Sequence, residues 1–135
     1  MIPFSALAVT YAIAFILFIL IDLLWLGYIF KGFVDAQLGH LRGDVNWYAV
    51  VVFYSLYPLA LMVFAIYPSM ISKSVMAAAL LGALFGFFAY VTYDMTNLAT
   101  LRDWPVAFSI FDIMWGTVLS GTVSALAVYL YKLIF

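Results

Sequence analysis

The sequence predicts an all-α fold, a polytopic membrane protein built as a four-helix transmembrane bundle with both termini on the same side. Composition is the first observation: 70% of the 135 residues are hydrophobic and 8% are charged, and the mean hydropathy is +1.23. A soluble domain of this size cannot hide so much apolar surface, because much of any small fold faces solvent. The second observation is that the apolar residues form four runs, each near or above the roughly 20 residues that cross a bilayer core.

These runs give the predicted helices, at about residues 2–30, 47–67, 74–98 and 105–131. Pro3 suits a first helical turn, where its missing N–H has no partner to lose, and Pro68 is expected to end the second helix. Pro58 lies inside that helix and is expected to kink it, which frees a backbone carbonyl near Tyr54. The connections are short, so residues 1–135 are predicted to form one domain.

Small residues recur at four-residue spacing in the third and fourth helices, a pattern that lets two membrane helices approach closely. They are Ala78, Gly82 and Gly86, and Gly116, Ser120 and Ser124. Their expected role is packing within the bundle.

Orientation depends on few charges. The loops after helices 1 and 3 carry Lys31, Arg42 and Arg102, and the opposite side carries Lys73 and Lys132. Three basic residues against two favour a cytoplasmic location for loops 1 and 3 under the positive-inside rule. The N-terminal run lacks a basic leading segment and is too long for a signal-peptide core, so we expect a retained helix.

Several classes of function are excluded by composition and by missing motifs. The formal net charge is −1 and no basic patch exists, which argues against a nucleic-acid partner. The chain has no cysteine, so it has no disulfide and no thiolate metal site. It has one histidine, His40, and no phosphate-binding glycine loop, so neither haem nor a nucleotide is expected as a cofactor.

A short motif occurs twice, once in helix 1 as "IDLLWLG" and once in helix 4 as "FDIMWGT". Asp22 and Trp25 are three residues apart, as are Asp112 and Trp115, so each pair shares one helical face. Helix 3 contributes Asp94 and Asn97 at the same spacing. The motif therefore predicts that polar groups from several helices point in a common direction.

Depth in the membrane predicts where these acids meet. Asp22 and Asp94 lie near the ends of helices 1 and 3, and Asp112 lies near the start of helix 4, so an antiparallel bundle brings them to one side. Asp112 is seven residues past Pro105, or roughly 10 Å inside at about 1.5 Å per residue. An ionised Asp facing lipid costs roughly 2.5–3.5 kcal/mol, so all three should face inward.

The predicted result is a one-sided pocket in the bundle. Its candidate catalytic residues are Asp22, Asp94 and Asp112. Its candidate binding residues are Trp25, Tyr54, Tyr57, Tyr90, Tyr93, Asn97 and Trp115, and the loops that cap it carry His40, Arg42, Arg102 and Asp103. Three neighbouring carboxylates cannot all stay ionised without a counter-charge.

The oxygen-rich set leaves its chemistry open. Asp22, Asp94, Asn97 and Asp112 are candidate ligands for a hard divalent cation such as Mg²⁺ or Ca²⁺, which prefer oxygen donors. The same groups would suit a protonatable switch or a cationic head group.

Five short segments of the sequence resemble those of a known family. The segments "DLLWLG", "YPLA", "YDMTNLATL", "WP" and "DIMWG" occur in an order similar to that of small bacterial membrane proteins of the domain-of-unknown-function family 2177. The likeness is clearest over residues 20–121. The resemblance implies a four-helix, multi-pass protein of the bacterial inner membrane and implies no activity. The matching positions are Asp22, Trp25, Tyr57, Pro58, Tyr93, Asp94, Thr96, Asn97, Leu98, Trp104, Pro105, Asp112, Trp115 and Gly116.

Three hypotheses about function follow. The first is a site that binds a small amphiphile, a membrane lipid or a cation, or that modifies a lipid with one Asp as general base and another as acid. The second is a proton-coupled transporter of hydrophobic cations. The third is a structural or accessory subunit whose carboxylates are held in hydrogen bonds. A bundle of this kind suits a monomer and a homodimer equally.

Overall fold

The computed structural model describes all 135 residues and contains helices but no strand. Helix α1 (Phe4–Leu24) continues as a π-helical turn, Trp25–Ile29. A short helix α2 (Lys31–Leu38) and a 3₁₀ turn follow. Helix α3 (Trp47–Leu61) runs through a second π-helical turn, Met62–Ile66, into α4 (Tyr67–Ser72). Helices α5 (Val75–Thr100) and α6 (Val106–Ile134) complete the chain.

Four continuous helical segments are long and apolar enough to cross a membrane. They are Phe4–Ile29, Trp47–Ser72, Val75–Thr100 and Val106–Ile134. Many of their large apolar side chains face outward, as lipid-facing side chains do. The predicted all-α, four-span architecture is confirmed, and the side on which each terminus lies stays a prediction.

The structure corrects the predicted end of the second helix. Pro68 does not close it, because the helical path continues to Ser72. The reason lies in the π-helical turn before it, where the Tyr67 N–H bonds the carbonyl of Met62. Pro68 therefore occupies the first turn of α4, a position that tolerates a missing N–H.

The segment 31–46, predicted as a loop, contains helix α2 and a 3₁₀ turn. Helix α2 buries Val34, whose side chain is 7% exposed, and packs against the start of α6. Burial of an apolar side chain stabilises a helix that is too short to be stable alone.

Helices α5 and α6 form the most extensive pairing in the bundle. A Cβ on Gly82 would clash with Ser124 of α6, and a Cβ on Gly86 would clash with the backbone of Gly116. The small residues predicted to permit close packing are buried at this crossing, so that prediction is confirmed.

Helices α3 and α5 behave differently. Helix α5 packs against the π-helical turn Met62–Ile66, whereas it hardly approaches α3 itself. The two helices therefore separate toward the end of the bundle that carries Asp94, and this separation creates a groove between them.

Candidate functional site

Asp22 links three helices through one carboxylate. Its side chain is buried, and its Oδ1 accepts a hydrogen bond from the Trp115 Nε1–H at 3.0 Å. Its Oδ2 accepts a hydrogen bond from the Tyr54 hydroxyl at 2.5 Å. Both oxygens of this acid from α1 are thus occupied by donors from α3 and α6, which explains how a buried carboxylate is tolerated there.

The repeated motif also brings its two tryptophans together. The Trp25 ring stacks on Trp115 with centroids 4.2 Å apart and planes within 4°. Its other face stacks on Phe30 at 4.3 Å. Phe33 and Phe111 pack around Phe30. Trp25 and Trp115 are predicted from the sequence to bind a ligand. In the structure, Trp25 instead stacks between Trp115 and Phe30.

A second acidic pair joins α5 and α6. Asp94 is fully buried, and its carboxyl lies beside the carboxyl of Asp112 and the hydroxyl of Ser109. Neither oxygen of Asp94 accepts a hydrogen bond. The Ser109 Oγ in turn accepts the Trp104 Nε1–H at 2.9 Å. Ser109 precedes Asp112 by three residues on the same helical face, a spacing that could have identified it from the sequence.

No basic side chain neutralises this pair, since all five Lys and Arg residues of the chain are exposed. Two adjacent carboxyls in a low-dielectric interior cannot both be ionised without a counter-charge. A proton shared between Asp94 and Asp112, or a bound cation, is the simplest way to balance the charge.

A groove of about 580 Å³ lies between α3 and α5. Its volume falls within the range of about 300–1,000 Å³ that is typical of small-molecule sites. The lining residues are Ala49, Val50, Phe53, Tyr54 and Tyr57 of α3, Ala89, Tyr90 and Tyr93 of α5, and Asp112 of α6. Because α3 and α5 separate here, the groove opens sideways between the helices, and Asp112 is the one carboxyl on its wall.

The tyrosines of the groove are held in different ways. The Tyr57 hydroxyl forms a hydrogen bond with the Ser120 Oγ at 2.8 Å. The Tyr90 ring lies against Gly116, where a Cβ would clash with it. Tyr93 is 53% exposed and meets Trp104 edge to face at 5.9 Å. The groove wall is therefore firmly supported at its deep end and open at Tyr93.

Several predicted site residues lie outside the groove. Asp22 and Asp94 are buried behind its wall, and Asn97 is half-buried beside Tyr93, one turn further along α5. The structure forms no group of three or more His, Asp or Glu side chains that could hold a metal ion. The four candidate metal ligands separate into Asp22 with its own donors, the Asp94–Asp112 pair, and Asn97 at the rim.

Sequence reasoning missed four lining residues, Ala49, Val50, Phe53 and Ala89. These are apolar side chains in an apolar chain, so nothing in the sequence marks them.

Loops 1 and 3 lie at one end of the bundle, as the sequence predicts. His40 of loop 1 has its Nε2 3.3 Å from the Asp103 carbonyl oxygen of loop 3, so both loops lie over the same end of the bundle. Arg42 forms an exposed ion pair with Asp35, and Arg102 is exposed.

These features define a membrane protein with transmembrane helices in which Asp22, Asp94 and Asp112 gather at one end of the bundle. The chain belongs to the family described as "Predicted membrane protein (DUF2177)", whose model matches residues 7–129. No curated protein and no solved structure matches it. The family resemblance expected from the sequence motifs is thereby confirmed.

Proposed function

We propose that the protein binds a small membrane amphiphile in the groove between α3 and α5. The polar end of the ligand would lie beside Asp112, and its apolar part would lie along Phe53 and the tyrosine rings. One observation carries this proposal: a carboxyl, Asp112, stands on the wall of an aromatic groove that opens sideways between two lipid-facing helices. Ionisable groups within a membrane segment are retained mainly where they have a function.

The three acids have different roles in this proposal. Asp112 contacts the ligand, and Asp94 sits behind it as a second carboxyl of the pair. Asp22 has both oxygens occupied by Tyr54 and Trp115, so it positions the groove wall and does not contact the ligand. The site lies within one chain, so binding needs no second copy.

Two more specific functions are compatible with such a site in a bacterial inner membrane. A pair of carboxyls that shares one proton can give and take protons, which would serve a lipid-modifying enzyme. The same pair would serve a proton-coupled transporter of hydrophobic cations, the second candidate. The clustering of the acids at one end favours binding over transport, since transporter sites commonly lie near the midplane.

Native mass spectrometry tests the proposal. The protein is released from mild detergent beside Asp112→Asn and beside Asp44→Asn, in which the altered acid lies in an exposed loop. A lipid-sized adduct that is present on the parent and on Asp44→Asn, and absent from Asp112→Asn, is the expected result. An adduct of equal occupancy on all three proteins would contradict it.

A further inference from the structure

The charge around the groove indicates which polar group it accepts. Asp112 lies on the groove wall, Asp94 lies directly behind it, and Asp22 is a further acid at the same end. The basic side chains of the chain are all exposed, and none lines the groove. A phosphate or carboxylate head group would meet these acids without a cation to hold it, and like charges at short range repel.

The buried carboxyl of Asp94 needs a partner. Both of its oxygens are shielded from solvent, and the two polar side chains beside them, Ser109 and Asp112, lie outside hydrogen-bond geometry. A buried acceptor without a donor is costly, so a ligand that brings N–H donors or positive charge to the Asp94–Asp112 pair would be stabilised. Asp94 lies behind Asp112 and not on the groove wall, so its carboxyl would favour a cationic ligand through the neighbouring Asp112.

Aromatic rings surround the place where that charge would lie. Tyr57 and Tyr90 meet edge to face with centroids 6.0 Å apart, and Phe53 packs on both Tyr54 and Tyr57. The faces of aromatic rings attract cations that approach within about 6 Å. An acid surrounded by aromatic rings is a suitable environment for an ammonium group attached to an apolar body.

We propose that the groove selects amphiphiles whose polar end is an alkylammonium cation, held by the carboxyl of Asp112, with Asp94 behind it, and by the tyrosine rings. This inference rests on the proposed function, because it names the ligand class of the same groove. The ammonium could belong to a lipid head group or to a hydrophobic cation that partitions into the membrane. Both sources share the same chemistry at the site.

The test is a competition experiment followed by native mass spectrometry. The protein in a neutral detergent is mixed with equal amounts of dodecylammonium, dodecyl phosphate and dodecanol. We expect the cation to be bound at least about tenfold better than the other two, since one extra contact of about 1.4 kcal/mol gives that ratio. Asp112→Asn and Asp94→Asn should each abolish the preference, and Asp112→Glu should keep it.

The outcomes separate this inference from the proposed function. In one outcome, dodecanol and dodecylammonium bind equally well, and Ala49→Trp, which fills the groove, abolishes the binding of both. That result would overturn the cation preference and leave groove binding intact. Binding that Ala49→Trp does not change would overturn both. A parallel arm with lyso-phosphatidylethanolamine identifies the source: occupancy equal to that of dodecylammonium supports a lipid amine, and weaker occupancy supports a cation without phosphate.

A melting temperature for each variant keeps the result interpretable. A variant that melts as the parent does and has lost its cation preference supports the inference. If Asp94→Asn does not fold, Asp112→Asn and Asp112→Glu decide the matter, because Asp112 lies on the groove wall and is only partly buried.

Discussion

Trp115 donates its indole N–H to the Asp22 carboxylate at 3.0 Å, so the tryptophan of one Asp-x-x-Trp copy binds the aspartate of the other. Asp22 also accepts the Tyr54 hydroxyl. The repeated motif thus serves as a contact between α1 and α6, with α3 joined to it. The carboxyl that remains for a ligand is that of Asp112.

The first prediction concerns this contact. Asp22→Asn should destabilise the protein by roughly 1.5–3 kcal/mol, the magnitude of a hydrogen bond to a charged group. Tyr54→Phe should destabilise the protein by a similar amount, roughly 1.5–3 kcal/mol, because it removes a hydrogen bond to the same buried carboxylate. Unfolding in detergent measures both effects. The double variant should be less destabilised than the sum of the single ones, since the two residues share one interaction, and strict additivity would contradict the contact.

The second prediction concerns the stacked rings. Trp25→Ala removes the ring between Trp115 and Phe30 and should cost about 3–5 kcal/mol, as is typical for truncating a packed aromatic side chain. Trp47→Ala is the matched control, because Trp47 is 69% exposed. Thermal unfolding of the two variants checks this. Equal losses of stability would show that the stack is not a packing element.

The third prediction concerns the crossing of α5 and α6. Gly86→Leu should prevent the close approach of the two helices, because even a Cβ at this position clashes with Gly116 and Ser120. The expected result is a large loss of folded protein in size-exclusion chromatography. Gly43→Leu should have little effect, since nothing lies within 4 Å of a Cβ there. Normal elution of Gly86→Leu would contradict the packing.

The fourth prediction separates groove volume from charge. Ala49→Trp adds a large ring to the groove wall and leaves every acid unchanged, so it should reduce amphiphile binding by about tenfold or more. Val51→Trp, at a position that is 62% exposed and absent from the groove wall, should bind as the parent does. Titration with dodecylammonium, followed by intrinsic fluorescence, gives both affinities. Equal weakening in the two variants would indicate a nonspecific effect.

The four spans could be predicted because long apolar runs allow few alternatives in a bilayer. The grouping of Asp22, Asp94 and Asp112 at one end of the bundle followed from depth alone. Their separation into a satisfied acid and an unsatisfied pair could not be predicted, since it depends on which donors, Tyr54 and Trp115, point at which carboxylate. The continuation of the second helix past Pro68 could not be predicted either, because a π-helical turn has no clear sequence signal.

The groove itself depends on how far two helices separate, a property that no periodicity encodes. Ala49 of α3 and Ala89 of α5 line the groove because these two helices separate there. Asn97, whose spacing from Asp94 matches the motif, lies at the rim because α5 carries it one turn further toward loop 3.

Photo-crosslinking tests directly whether the groove between α3 and α5 holds the amphiphile beside Asp112. A dodecylammonium derivative with a diazirine in its alkyl chain is bound to the protein in detergent, irradiated, and the labelled peptides are mapped by mass spectrometry. We expect labels on the groove wall, within residues 49–57 and 89–93, and we expect Asp112→Asn to remove them. Labels spread evenly over the lipid-facing surface of all four spans, unchanged in Asp112→Asn, would contradict it.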